Sequence, residues 1–373
     1  MQARSLALAL AVFASILFTS VTASAQQTRV KLKFRDAKGQ VKEEDGQLQE
    51  WNLTQLRLKV GGRAERDVSN DDIVAVEFSE GPGEFLTAIK DWKEGNFGDA
   101  MDVFKGLEKE KLKSKDAWAR EHVLYYIWDI DRRNESKQAE SAATAVTLAK
   151  EYPNSHYIPL IELWNAQKPY IAGDFGTAEK ALADFEKKVQ SSGWSKALAL
   201  NAGLTRVRAL IAMNRAPMAA DALKGLGGNA SEQSRQLIAV CEGEVLNAEK
   251  KFDQAKVHFE NQLKSISHET FPVAYAGAAN GLGDACLGLG QVDDAIAAFA
   301  RTFALYSEAP GVDDEVGWAH YRFYQACNQK SGLVQDEEQK KLWRQRANTN
   351  RQRAAEDYAL TRGGQAATRE LGR

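Results

Sequence analysis

The chain has 373 residues, 27% of them charged and 44% hydrophobic, with a formal net charge of -2. Lysine plus arginine (49) nearly balance aspartate plus glutamate (51), so no chain-wide affinity for nucleic acid or another polyanion is expected. Cys241, Cys286 and Cys327 form no CxxC and no Cys/His cluster, which argues against structural zinc.

Residues 1–25 read as a signal peptide: Arg4, an apolar run from Leu6 to Phe18, then Ala23-Ser24-Ala25 before Gln26. The run falls short of the ~20 residues that span a bilayer, no cysteine stands at the cleavage point, and no second hydrophobic span follows. The mature chain is therefore expected to start at Gln26, to lack a transmembrane segment and to be periplasmic or secreted. Residues 26–80 read as a small β module. Thr28 to Arg35 alternates, with Val30, Leu32 and Phe34 on one face; Leu56, Leu58 and Val60 form a second run, and Val74, Val76 and Phe78 a third. Turn signals at Lys38-Gly39, Asp45-Gly46 and Gly61-Gly62 separate four or five short antiparallel strands, a half-open barrel similar in form to Sm-like or SH3-like barrels but without their motifs. Too small to be stable alone, it is expected to pack on the first helical unit, beyond a Gly81-Pro82-Gly83 linker.

From residue 82 to about 330 the pattern turns helical and repeats. Ala100, Ala139, Ala178, Ala219, Ala255 and Ala295 recur at 36 to 41 residues, each five after Gly95, Asn134, Gly173, Asn214, Lys250 or Gly290. Five of those six are Gly or Asn, which tolerate the left-handed conformation that closes a helix. Phe97, Phe175, Phe252 and Val292 precede the alanine, and Phe104, Leu182, Leu223, Phe259 and Phe299 follow it by four. Alanine lets two helices approach, and the larger residues fill the seam one turn away. Unit 2 departs, with Ser136 and Ala143 at the seam. These units are helix, tight turn, helix: an α-solenoid of about six repeats. They resemble the tetratricopeptide repeat (TPR) family, in a degenerate form of exported bacterial type. The sixth unit carries the resemblance best through Leu282-Gly283, Cys286, Gly290, Val292, Ala295 and Phe299, with Cys286 where an aromatic is usual. Every interval exceeds the family period of about 34 residues.

A seventh helical pair is expected near Glu315 to Gln329 and Gln335 to Leu360; residues 331–360 supply a solvated capping helix, acidic at its start and basic later. Thr361 to Arg373 has almost no large apolar side chains and is expected to be a disordered tail. The cysteines fall in predicted helices and are read as small buried hydrophobes, the alternative being oxidation of two of them after export. Sequons at Asn52, Asn134 and Asn229 matter only in a glycosylating host.

The five histidines share no motif, and HExxH, GxSxG, the P-loop and the dinucleotide fingerprint are missing, so no catalytic residue, metal or cofactor is assigned and an enzyme is not expected. Glu242/Glu244 and Asp293/Asp294 read as solvated surface charge. The TPR resemblance implies that residues six, three and two before each turn line a concave groove: Ile89, Trp92 and Lys93; Trp128, Asp131 and Arg132; Gln167, Tyr170 and Ile171; Arg208, Ile211 and Ala212; then Glu244, Asn247, Asp284 and Leu287. Trp92, Trp128, Tyr170, Arg208, Glu244, Asn247 and Asp284 are the candidate partner-binding residues, aromatic toward the N-terminus and polar toward the C-terminus. The carboxylate clamp of some TPR domains is not expected, because Phe85 and Ile89 hold its places in unit 1. The resulting expectation is an exported, non-enzymatic scaffold in the cell envelope that binds a protein or peptide segment; the alternative is a module stacking envelope sugars on the aromatic groove.

Overall fold

The computed structural model describes residues 28–372 apart from 37, 63, 111, 113–115, 227–230 and 310. The expected signal peptide lies outside the described residues.

Five strands come first: β1 (Thr28–Arg35), β2 (Val41–Trp51), β3 (Gln55–Val60), β4 (Ala64–Ser69) and β5 (Ile73–Phe78). They form one antiparallel sheet in the order β4-β3-β2-β1-β5, open at both edges. One face buries Val30, Leu32, Phe34, Leu48, Leu56, Leu58 and Val68. Two local expectations are corrected. Asp45-Gly46 is no turn; it lies inside β2, where a Cβ on Gly46 would stand 2.5 Å from the Leu58 side chain. Nor does Val74 face the core. A bulge between Lys33 and Phe34 pairs Phe34 with Ile73, so Ile73 packs inward with Val76 and Phe78 while Val74 is exposed. The Gly61-Gly62 turn does form, with both residues at positive φ.

Seven helix pairs follow: α1 (Phe85–Glu94) with α2 (Phe97–Lys109), α3 (Ala119–Asp131) with α4 (Gln138–Glu151), α5 (Ile158–Ile171) with α6 (Phe175–Ser192), α7 (Lys196–Ala212) with α8 (Ala216–Lys224), α9 (Glu232–Ala248) with α10 (Phe252–Ser265), α11 (Pro272–Gly288) with α12 (Val292–Tyr306), and α13 (Asp313–Leu333) with α14 (Glu337–Asp357). Five of the first six pairs share one turn. Gly95, Gly173, Asn214, Lys250 and Gly290 are all left-handed. The residue after each donates its N–H to the carbonyl five back, as in Asn96 to Asp91 and Gln291 to Cys286, both 2.8 Å. Ala100, Ala178, Ala219, Ala255 and Ala295 are fully buried in the seams. Phe259 lies against Gly243 and Gly281 of the helices on either side, and Phe299 against Gly283, places where any Cβ would collide with the ring.

Unit 2 breaks the pattern, and Ala139 is exposed. Asn134 has φ -113, and its side chain accepts from Ser136 N at 3.0 Å, starting a 3-10 turn over Glu135–Lys137. That extra turn moves the register by two residues. Ser141 takes the alanine slot at 2% exposure, its hydroxyl donating to the Trp128 carbonyl, and Leu148 fills the seam. The three cysteines are buried thiols in α9, α11 and α13.

The β module docks more widely than on the first unit. Phe78 meets Phe85, Trp118 and His122 at ring distances of 5.7, 5.4 and 4.7 Å. Trp51 stacks on His156 at 3.5 Å, and Asp71 accepts from Ser195 Oγ and Lys196 N at the start of α7.

The chain end is a further correction. In place of a disordered tail, α15 (Arg362–Glu370) begins at a Thr361 cap and buries Gly363, Gly364 and Ala367 against α13 and α14. Glycine and alanine allow that close approach without large apolar side chains, which is why composition alone pointed to disorder.

Candidate functional site

The inner helices α3, α5 and α7 form one wall of a cavity of about 780 Å³; the start of α13 and the α14–α15 corner form the other. Arg132, Arg133, Trp164, Gln167, Tyr170, Asn201, Thr205 and Arg208 line the first wall, and Asp313, Asp314, Glu356, Asp357 and Tyr358 the second. The groove is thus cationic, aromatic and amide-bearing on one side and acidic on the other.

At its N-terminal end the organising group is Asp129, 1% exposed. It accepts from Arg132 Nε at 2.7 Å, Arg133 Nε at 3.0 Å and Trp92 Nε1 at 2.9 Å. Burial alone would raise its pKa, but the two guanidiniums and the indole outweigh burial and hold the carboxyl below its usual range. Two cations share this one carboxylate, and Glu135 lines the cavity beside them. The Arg132 guanidinium lies 4.5 Å over the Trp164 ring and 5.1 Å from that of Trp128. Deeper in, Gln167 Nε2 donates to Asn201 Oδ1 at 2.9 Å and Thr205 Oγ1 at 3.1 Å, which aligns three polar side chains along α5 and α7. Trp164 Nε1 is buried with no acceptor among the described residues.

The C-terminal end is a buried charge cluster. Arg208 donates to Glu244 at 2.9 Å and pairs with Glu315 at 3.0 Å. Arg362 of α15 donates to Glu315 Oε2 at 2.7 Å, stands 3.2 Å from Asp314 and 3.9 Å from Glu244, and lies 4.7 Å over the Trp318 ring. Asn280 adds a 3.0 Å bond to Glu315. Burial acts to raise the Glu315 pKa, yet Arg362 and Arg208 prevail and keep it ionised.

The seven candidates divide. Tyr170, 8% exposed, and Arg208 line the cavity. Glu244 meets the groove through its two arginine partners and is no solvated surface charge. Trp92 is half-buried and spent on Asp129 and an edge-on contact with Tyr126 at 5.0 Å. Trp128 is corrected: at 3% exposure it packs in the seam with Leu124, Leu148, Tyr157 and Ile161. Asn247 donates to the Gly281 carbonyl and Asp284 accepts from Arg322 Nε at 2.6 Å; each ties neighbouring inner helices together away from the cavity. Trp164, Asn201, Thr205, Glu315 and Arg362 were missed. The first three lie more than two helical turns upstream of the turn residues used for counting, whereas Glu315 and Arg362 meet only through the fold.

This is a helical-repeat solenoid with an inner groove, the kind of surface that binds other chains. Residues 124–276 match the sequence profile of the tetratricopeptide repeat-like domain, so this stretch of the solenoid is TPR-like. Among solved structures, a tetratricopeptide repeat protein from Parabacteroides merdae ATCC 43184 is similar at 11% identity and a TM-score of 0.40, over 70% of this chain and 96% of that one. Comparison with curated proteins finds no match. No helix among the described residues is long and apolar enough to cross a membrane.

Proposed function

We propose that the chain is an exported, non-enzymatic scaffold of the cell envelope that holds a segment of another protein in its inner groove, with the β module orienting that complex. The cavity between α3, α5, α7 and the α14–α15 corner carries this reading: it offers stacked arginine and tryptophan, aligned amides and an opposing acidic wall, the mixed chemistry of a peptide site. The signal-like residues 1–25 support export. Sugar stacking is the weaker reading because two of the three expected aromatic residues are committed elsewhere, Trp128 to the seam and Trp92 to Asp129.

A photo-crosslinking residue at Gln167 or Thr205 of the full chain, expressed in its own cells, should yield discrete protein adducts. The same residue at Ala139, exposed on α4, should not. Adducts that are absent, or equal at all three positions, would reject the groove. N-terminal sequencing of the exported protein should read Gln26; an intact Met1 form in the membrane would reject cleavage and export.

A further inference from the structure

The C-terminal end of the groove is already occupied, and the occupant shows what it accepts. Helix α15 is nine residues long and carries no large apolar side chain. Its grip is polar and concentrated at Arg362. The guanidinium is 11% exposed, lies on the face of Trp318, and meets Glu315, Asp314 and Glu244 at 2.7, 3.2 and 3.9 Å. The Arg362 backbone N–H adds a bond to Asp314 Oδ1 at 2.9 Å. Gly363 comes next, and its lack of a side chain lets the backbone lie directly on Gly317. At the other end Arg369 donates to the Ala172 carbonyl at the C-terminus of α5, where a cation is favoured, and Tyr321 bonds Glu370 at 2.6 Å.

The socket itself belongs to the inner helices. Glu244 comes from α9, Asp314, Glu315 and Trp318 from α13, and Arg208 from α7. Without Arg362, three carboxylates face Arg208 as the one cation paired with them among the described residues, so the site calls for one more buried cation. A planar guanidinium fits it: it can stack on an indole while donating to several carboxylates, which an ammonium cannot match.

We propose that this socket is an arginine-reading subsite of the groove, and that α15 fills it in cis as a stand-in for a partner segment presenting arginine followed by small residues. The proposal rests on the groove being a protein-binding site and names the partner's chemistry. In the resting chain the tail and the partner compete for one place.

The test uses the full chain and a fluorescent peptide copying residues 358–371, YALTRGGQAATREL. Gly363→Leu inserts a side chain where Gly317 leaves no room and should lift α15. This variant should bind the peptide at least tenfold tighter than the unaltered chain, and a peptide with alanine or lysine at the Arg362 position should lose at least tenfold. Arg362→Ala in the full chain empties the socket without added bulk and should give the same order of affinities. The proposal is overturned if either folded variant binds no better than the unaltered chain, or if the arginine-free peptide binds equally well. Collapse of both variants by circular dichroism would also overturn it, since α15 would then be a fixed part of the fold. Adducts from Gln167 or Thr205 would survive any of these outcomes, which separates failure of this inference from failure of the groove.

Discussion

Unit 2 and the five units that surround it carry the same helix pair but not the same turn. In the regular units one left-handed residue closes the inner helix and sets the alanine five residues on into the seam. In unit 2 Asn134 stays extended and caps a 3-10 turn, so Ser141 enters the seam and Ala139 faces solvent. The same unit receives the β module, through Trp51 on His156 and the bridge between Asn52 and Ser155. The irregular turn and the Trp51 stack of the β module thus fall in the same unit.

The largest expected effect lies in the regular seams. Phe259→Ala should cost about 3–5 kcal/mol, since the ring fills the space between two glycine-bearing helices. At the matching place in unit 2, Ala145→Gly should cost only about 1 kcal/mol, mainly through helix propensity. Denaturant melts measure both, and equal losses would erase the distinction. Next, Ala255→Leu and Ala295→Leu should each overpack a seam by about 1–3 kcal/mol. Ala139→Leu should change stability by less than about 0.5 kcal/mol. A large loss at Ala139 would show that the register of unit 2 is the regular one after all.

The junction holds two buried histidines and should respond to pH. His122, its Nδ1 2.7 Å from the Tyr157 hydroxyl, is pushed down to about 3 by burial, and burial also holds His156 well below its ordinary value. Glu121, 3.8 Å from His156, is pushed up to about 7 by burial. Both histidines stay neutral when folded, so their contribution is intact above about 6.5, the unfolded value, and is lost as pH falls toward the folded values. Glu121 acts oppositely: its contribution is full below about 4.5 and is lost as pH rises through 7. Between roughly pH 6 and 5 the two histidines outweigh the one carboxyl by about one proton, a loss near 1.4 kcal/mol per pH unit. Glu121→Gln removes the offset, so that variant should be more stable at pH 8 and fall more steeply on acidification. Melts of the variant that track the parent at every pH would refute this assignment.

The smallest effect sharpens the turn itself. Lys250, left-handed at φ 59, pays a steric cost that glycine avoids, so Lys250→Gly should stabilise by about 1 kcal/mol. Asn134→Gly should gain nothing and lose a few tenths of a kcal/mol with the cap. A gain at both sites would mean that Asn134 also visits the left-handed turn.

Much of this was legible in the residues because it is local. A glycine or asparagine before an alanine column announces its own turn, and strict alternation announces β1. Asn134 shows the limit, since asparagine serves equally as a left-handed residue or as a side-chain cap, and the neighbours in space choose between them. Val74 shows it again: one bulge opposite Phe34 reversed the face that alternation assigned. In the groove, counting back from the turns located Arg132, Gln167, Tyr170 and Arg208, but Trp128, one helical turn before Arg132, packs into the seam with Leu148 and Tyr157.

Local sequence was therefore enough for the helix pairs, five of the six turns, five of the six alanine seams and part of one wall of the groove, because backbone preference and side-chain volume act within a few residues. The buried meeting of Arg362 with Glu315, Asp314 and Glu244, the bond from Arg369 to Ala172 and the docking of Trp51 on His156 arose only when the solenoid brought distant segments together. A charge carries no mark of its partner; that partner is chosen by which surfaces the superhelix places within a few ångströms, and here it turned an apparently unstructured tail into the occupant of the groove.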